Sequence, residues 1–164
     1  MASSSSSSSS SHLTEKEAEI YDRQIRLWGV DAQRRMRSSR VLVCGMGALG
    51  AEVAKNIALA GVNVTLQDEH IVREEDRCAQ FFLAPSAVGC NRALASLAGV
   101  RELNPLVECT AESLPLHALA DEHLRAFRLV AMCDVPPAVA VRARKCPGVA
   151  AGRSSLVAAC SRWW

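Results

Sequence analysis

The residues best suited to chemistry form a glycine-rich segment in the first third of the chain. Residues 45–50 read G-M-G-A-L-G and match the pattern G-x-G-x-x-G. In this pattern Gly45 permits a tight turn, Gly47 lets the backbone approach phosphate oxygens, and Gly50 allows a helix to pack closely on a strand. A helix that begins in such a loop presents free N–H groups and a positive dipole, so the segment is suited to phosphate.

Asp68 gives this loop an acidic partner at the end of the next apolar run. A carboxylate roughly 20 residues after the loop accepts hydrogen bonds from ribose hydroxyls in dinucleotide-binding folds. The hexapeptide alone is a weak signal, because degenerate turns that bind nothing carry it too. We therefore take Gly45, Gly47, Gly50 and Asp68 as candidate nucleotide-binding residues, with a turn that binds nothing as the alternative.

The elements that must position the loop alternate between strands and helices. Short β-branched or apolar runs predict strands at 40–44, 63–67, 106–110 and 129–133. The segments between them predict helices at 51–60, 91–103 and 115–125, and a further helix that opens at Pro136-Pro137. Such alternation implies right-handed crossovers. The predicted fold is α/β, a Rossmann-like parallel sheet with helices on both faces.

The beginning of the chain departs from this pattern. Residues 3–11 are an unbroken serine run, which cannot bury a core, so we expect residues 1–13 to be a disordered tail. A serine-rich plastid transit peptide is the alternative, and the early glutamates weaken it. Thr14 and Glu17 have the spacing of a capping box and predict an N-terminal helical extension.

Two further signals divide the rest of the chain. Gly29 interrupts the helical extension, and Asp31 is predicted to cap a second short helix. Beyond Lys145 the alternating pattern fades, and no element is predicted for the last residues. We therefore expect a nucleotide-binding half-domain over 14–145 and a divergent tail over 146–164.

Composition restricts the classes of function. The chain is 49% hydrophobic and 22% charged with a formal net charge of +2, which favours a globular protein and gives no reason to expect nucleic acid as a partner. No stretch approaches the roughly 20 apolar residues of a membrane span, so no membrane partner is expected either. The 7 cysteines contain no C-x-x-C pair, so we expect free thiols and no metal site.

Residues 21–29, which read Y-D-R-Q-I-R-L-W-G, are not a general feature of dehydrogenases. They resemble the opening signature of the enzymes that activate ubiquitin-like modifiers, whose fold is shared with bacterial ThiF and MoeB. The resemblance continues through R-V-L-V at 40–43, G-A-E-V-A-K-N at 50–56, L-A-G-V at 59–62, A-Q-F at 79–81, V-G at 88–89, N-R-A at 91–93 and L-N-P at 103–105. It implies a ThiF/MoeB-like adenylation fold, of which this chain has the first half only.

The family's reaction is the adenylation of a modifier's C-terminal glycine by ATP, followed by transfer to a cysteine. Catalytic members carry the segments S-N-x-N-R-Q-F and G-K-x-K, and this chain departs from both. The substituted positions are Glu75, Asp76, Cys78 and Ala79 in the first segment, and Cys90 and Arg92 in the second. Losing cations while gaining carboxylates disfavours a polyphosphate. The resemblance thus implies a vestigial site that binds no cofactor tightly.

The residues around Asp68, A-Q-F and L-N-P are most similar to the small, non-thiol subunits of SUMO-activating heterodimers. This resemblance implies a large thiol-bearing SUMO-activating subunit as partner, SUMO as the modifier, and ATP with Mg at the partner's site. It also implies a location in the nucleus, with some in the cytoplasm. Arg23 becomes the candidate catalytic residue, which would act in trans on the partner's ATP as a planar, always-charged guanidinium.

Three alternatives stay open at this point. The small subunit of a Rub-type modifier-activating enzyme opens with a similar Tyr-Asp-Arg-Gln signature. A NAD-binding oxidoreductase would need a catalytic tyrosine, lysine or histidine downstream of the loop, whereas the one tyrosine, Tyr21, precedes it. The third alternative is an interaction module without any nucleotide role.

Overall fold

A parallel sheet of five strands forms the centre of the computed structural model, which describes residues 13–136 and the backbone of residues 155–159. The strands are β1 (Arg40–Cys44), β2 (Asn63–Gln67), β3 (Cys109–Glu112), β4 (Leu129–Cys133) and β5 (Ser155–Ala159). Their order is β3-β2-β1-β4-β5, and each adjacent pair is parallel. The strand order therefore reverses between β1 and β4.

Six α-helices accompany the strands in the described part of the chain. They are α1 (Glu15–Ile20), α2 (Asp22–Trp28), α3 (Val30–Arg37), α4 (Ala48–Leu59), α5 (Arg92–Leu103) and α6 (Asp121–Arg125). Three short 3-10 turns lie at Glu75–Cys78, Pro85–Ala87 and Leu116–Ala118. The first two helices and α3 form the predicted N-terminal extension, and the capping box is present because Thr14 and Glu17 exchange their hydrogen bonds.

The two faces of the sheet have separate cores because successive side chains of a strand point to opposite sides. On one face Val41 and Val43 pack with residues of α4 and α5. On the other face Leu42 and Cys44 pack with residues from the α6 region, which include Phe127. Helices thus cover both faces, and the predicted α/β, Rossmann-like fold is confirmed.

Several predicted boundaries are wrong by a few residues. The third strand was predicted at 106–110 but occupies Cys109–Glu112, because Asn104 holds the chain in a turn in which its Oδ1 accepts from the Leu106 N–H. The helix predicted at 115–125 is a 3-10 turn followed by α6. Asp31 lies in the first turn of α3, and Gly29 with φ of 85° is the residue before that helix.

The C-terminal region contains a strand that the sequence analysis did not expect. Residues 154–164 were predicted to form no regular element, whereas Ser155–Ala159 pairs with β4 in parallel register. A short apolar run has no periodicity that separates a strand from a helix, and only the free edge of β4 gives it a partner. The serine run and the helix predicted from Pro137 onward lie outside the described residues.

Candidate functional site

The glycine-rich loop follows β1 directly, as predicted, and the first helix after it is α4. Gly45 has φ of 85°, and a Cβ there would lie 1.7 Å from the Cys133 carbonyl oxygen of β4. A Cβ at Gly50 would lie 1.9 Å from the Gly45 carbonyl oxygen. Because both obstacles are backbone atoms, these two positions require glycine.

Gly47 faces a side chain rather than backbone. A Cβ at Gly47 would lie 2.2 Å from Asp134 Oδ2. Asp134 follows β4 with φ of 54°, and burial raises the pKa of its carboxyl, an effect that the positive charge of Arg92 partly offsets. No pattern in the sequence had singled out Asp134. Its place after a strand beside β1, where the strand order reverses, is the signal that points to it.

Asp68 lies at the carboxyl end of β2, and its side chain is only 1% exposed. Its Oδ2 accepts from the Met46 N–H of the loop at 2.7 Å and from Arg92 Nε at 2.7 Å. Its Oδ1 accepts from the His70 N–H at 2.9 Å and lies 2.8 Å from His70 Nδ1. Four contacts within the chain therefore occupy the carboxylate that was predicted to bind ribose.

The pKa of Asp68 records the balance of these contacts. Burial raises it, but the hydrogen bond and charge of Arg92 and the N–H groups of His70 and Met46 together hold the pKa below its usual value. The same pair acts on the guanidinium: burial lowers the pKa of Arg92, and the Asp68 carboxylate more than reverses this. Both groups are charged at neutral pH, and each neutralises the other.

Arg92 is shared between two carboxylates. Besides its bond to Asp68, its NH1 donates to Asp76 Oδ1 at 3.1 Å, and only 13% of the side chain is exposed. Asp76 and Arg92 are two of the positions at which the sequence departs from catalytic relatives, and the structure brings them together. Arg92 therefore has little unpaired charge with which to hold a phosphate.

The cavity beside the loop is small, and carboxylates are the most numerous charged groups in its lining. Its volume is about 110 Å³, below the roughly 300 Å³ at which ordinary ligand pockets begin. Three carboxylates line it, from Asp68, Glu69 and Asp134, as does the guanidinium of Arg92. Among the described residues, the lining thus carries more carboxylates than guanidinium groups.

The thiols near the loop are not activated. Cys44 and Cys133 are buried, and burial raises the pKa of both, that of Cys133 to about 11. A thiol with a raised pKa carries little thiolate and is a poor nucleophile. Cys44 is therefore a small buried residue that packs as an apolar side chain.

Arg23 lies on α2, which is anchored to the body of the fold along one side. The Tyr21 hydroxyl accepts from Asn104 Nδ2 at 2.7 Å, and Gln24 Nε2 donates to the Leu59 carbonyl at 3.2 Å. Trp28 Nε1 donates to Gln33 Oε1 at 3.0 Å. These hydrogen bonds connect three of the segments that carry the resemblance to modifier-activating enzymes, at residues 21–29, 59–62 and 103–105.

The anchored side determines where Arg23 points. Successive residues of an α-helix are rotated by about 100° around its axis. Gln24 and Trp28 therefore lie within roughly 60° of Tyr21 on one side of α2, whereas Arg23 lies about 200° from Tyr21, on the opposite side. Arg23 is exposed, and no hydrogen bond or ion pair joins its side chain to another described residue. Arg26, by contrast, pairs with Asp22 at 3.0 Å. The free guanidinium thus points away from its own fold.

Arg23 is also far from the glycine loop of its own chain. The loop leads into the first turn of α4, whereas Gln24 binds the carbonyl of Leu59 at the last. The 12 residues of α4 span about 18 Å. The structure therefore does not bring Arg23 together with Gly45, Gly47, Gly50 and Asp68. Tyr21, at the same distant edge, is likewise out of reach of a cofactor at the loop.

The strand order, the loop after β1 and the acid after β2 define a Rossmann-like nucleotide-binding fold. Residues 21–136 match the ThiF family, and the chain belongs to that family. Among the described helices, none is long and apolar enough to span a membrane.

The curated relatives of the chain belong to a narrower group than the whole family. The chain is 47% identical over 131 residues to "SUMO-activating enzyme subunit 1" of Xenopus laevis, an alignment that covers 79% of this chain and 38% of that protein. It is 51% identical over 122 residues to the Danio rerio protein of that name, with 74% and 34% covered. For the Homo sapiens protein the identity is 45% over 121 residues, with 73% and 35% covered.

These relatives confirm the resemblance to SUMO-activating subunits, of whose length the alignments span little more than a third. A solved structure of Escherichia coli tRNA N6-threonylcarbamoyladenosine dehydratase, TcdA, in complex with AMP is similar with a TM-score of 0.76. Its sequence identity is 20%, and the match covers 90% of this chain and 60% of that one. This match shows the shared fold.

Proposed function

We propose that this chain is a non-catalytic, regulatory subunit of a SUMO-activating enzyme and that it assists the ATP-dependent adenylation of SUMO by a large thiol-bearing partner. The similarity to SUMO-activating enzyme subunit 1 supports the pathway. One observation supports the assignment of catalysis to the partner. The Asp68 carboxylate, which would otherwise bind ribose, already contacts the Met46 N–H, His70 and Arg92. In this proposal ATP and Mg²⁺ bind at the partner's site.

The charge distribution at the loop supports this division. Adenylation accumulates negative charge on phosphates, and cations stabilise that charge when they are free to contact the oxygens. Here Asp68 and Asp76 hold Arg92, and Asp134 stands against Gly47 where the backbone would meet phosphate. In this proposal the chain keeps the glycine-rich loop and the fold of the family, but it lacks the free positive charges that a polyphosphate needs.

The proposal assigns Arg23 a role in trans. Its guanidinium is exposed and unpaired among the described residues, and the anchored side of α2 turns it outward. A planar fork of donors can stabilise the charge on the partner's ATP during the reaction. Arginines that act in this way accelerate phosphoryl transfer on the order of 10³- to 10⁵-fold, and we take this range as an upper limit for the effect of Arg23. The pair would act in the nucleus, with some in the cytoplasm.

The test compares variants of the full chain assembled with a large SUMO-activating subunit. Arg23→Ala is expected to lower the rate of SUMO adenylate formation while gel filtration shows the complex intact. Arg23→Lys should recover part of the rate, because an ammonium keeps the charge and loses the planar fork. Arg26→Ala is the matched control on the same helix, since its partner is Asp22 of its own chain.

Two results would overturn the proposal. An unchanged rate for Arg23→Ala within an intact complex excludes the action in trans. Failure of the chain to form any complex with the large subunit excludes the role as its partner.

A further inference from the structure

Asn104 is a buried polar residue that joins three parts of the fold. It lies at the end of α5 and is 4% exposed. Its Nδ2 donates to the Tyr21 hydroxyl at 2.7 Å and to the Ala58 carbonyl of α4 at 2.8 Å, and its Oδ1 accepts from the Leu106 N–H at 3.1 Å. A buried amide that makes three of its four possible hydrogen bonds favours one geometry, because a shift leaves a polar group unpaired.

Tyr21 is the residue at which α1 ends and α2 begins. It is 4% exposed, and its ring lies so close to Gly61 that a Cβ there would be 2.7 Å from Tyr21 Cζ. The ring therefore fixes where the joint between the helices sits. The hydrogen bond from Asn104 to the Tyr21 hydroxyl additionally restricts the rotation of α2 about its own axis.

We infer that the Asn104–Tyr21 hydrogen bond positions Arg23, so that Asn104 and Tyr21 act on the adenylation reaction through that guanidinium. Arg23 is two residues beyond Tyr21, in the first turn of α2, and any rotation of the helix moves the long side chain through a wide arc. This inference rests on the proposed role of Arg23 in trans. It adds that two buried residues of this chain, Tyr21 and Asn104, modulate the adenylation rate by holding the helix that carries Arg23.

The variant Tyr21→Phe isolates this bond. It removes one oxygen and keeps the ring against Gly61, and Asn104 keeps its bonds to Ala58 and Leu106. We expect the kcat for adenylate formation by the assembled pair to fall about three- to tenfold, below the roughly 100-fold that a 1 Å misplacement can reach. The KM for SUMO and the affinity for the large subunit should not change, although the loss of a buried hydroxyl contact should lower the thermal stability of the chain.

Thr65→Val is the matched control. The Thr65 hydroxyl is buried in β2 and shares a 2.8 Å hydrogen bond with Thr110, so this variant also loses one buried hydroxyl contact, remote from α2. Its thermal stability should fall to a similar extent while the adenylation kcat stays at the wild-type value. If kcat falls as much in Thr65→Val as in Tyr21→Phe, the effect of Tyr21→Phe is a general consequence of lower stability, and the inference is overturned.

A double variant separates this inference from the function on which it rests. If Tyr21 acts through Arg23, Tyr21→Phe should lower kcat in the wild-type background and have no further effect in Arg23→Ala. If Arg23→Ala lowers the rate and the two effects multiply independently, the inference fails and the proposed function stands. If Arg23→Ala has no effect, the proposed function fails, and the inference fails with it.

Amide hydrogen exchange of the free chain gives a readout that needs no partner. Tyr21→Phe should speed exchange across α2 by about tenfold, with little change in β1 and α4, because α2 loses one of its three anchors. Thr65→Val should leave α2 unchanged. Exchange in α2 that is the same in Tyr21→Phe and the wild type would overturn the inference.

Discussion

The variant Asp68→Asn tests the neutralised loop through protein stability. Asparagine keeps the shape of the side chain and removes its charge. Its NH₂ group must lie either against the Met46 N–H and Arg92 Nε, the two donors that contact Oδ2 at 2.7 Å, or against the His70 N–H, which donates to Oδ1. Removing one partner of a buried ion pair costs about 3–5 kcal/mol. Because Asp76 still pairs with Arg92, we expect a loss of about 3 kcal/mol.

Urea denaturation at pH 7 measures this loss directly. For a chain of this size it corresponds to a fall in Tm of roughly 6–12 °C. The matched control is Asp22→Asn, the same chemical change in the exposed pair with Arg26, which should cost less than about 0.5 kcal/mol. The m-value should be unchanged in both variants.

The pH dependence adds a second check with a definite sign. The folded pKa of Asp68 lies below its usual value, so the carboxylate stabilises the fold above the unfolded pKa of about 3.9. That contribution is lost as the pH falls from there through the folded pKa. The difference between wild type and Asp68→Asn should therefore be constant above about pH 5 and shrink below about pH 4.

If the free energies of unfolding of wild type and Asp68→Asn differ by less than about 0.5 kcal/mol at pH 7, the buried ion pair contributes no more than an exposed one, and Arg92 is not neutralised as described. A large difference that stays constant from pH 7 to pH 3 would refute the assignment to the charge of Asp68.

Three further predictions concern the loop and its neighbours. Gly45→Ala should lower the free energy of unfolding by about 3 kcal/mol or more, because its Cβ would meet the Cys133 carbonyl at positive φ. Gly47→Ala should lower it by only about 1 kcal/mol, because the Asp134 side chain that its Cβ would meet can move. Urea denaturation of both variants measures the two losses. Asn91→Ala should lower the free energy of unfolding by about 1–2 kcal/mol, because the Asn91 side chain caps α5 through the Leu94 N–H and also donates to the Asp68 carbonyl at 2.7 Å. Under native conditions iodoacetamide should modify exposed Cys90 before buried Cys44, as mass spectrometry of peptides would show.

The central strands were predictable because their sequences are short, β-branched and bounded by turn residues. The predicted bounds of β1, β2 and β4 agree with the structure. The start of β3 was misplaced because Leu106 and Val107 look like a strand, while Asn104 holds them in a turn. The strand β5 depends on pairing with β4, which local sequence does not encode.

The site was predictable in its parts and not in their arrangement. The loop glycines and Asp68 follow from a pattern with a fixed spacing. That Arg92 and Asp76 both reach the same region depends on the 3-10 turn at Glu75–Cys78, so their contact could not be read from spacing. Asp134 carries no motif, and only the strand order makes it a neighbour of Gly47.

ATP–pyrophosphate exchange with SUMO distinguishes a regulatory subunit from an enzyme with a working site of its own. It is measured for the chain alone, for a large SUMO-activating subunit alone, and for the two together. We expect no exchange by the chain alone and a clear rise in the rate when the chain is added to the large subunit. Exchange by the chain alone, abolished by Asp68→Asn, would show a working site at its own loop and would mean that the chain is not a non-catalytic subunit.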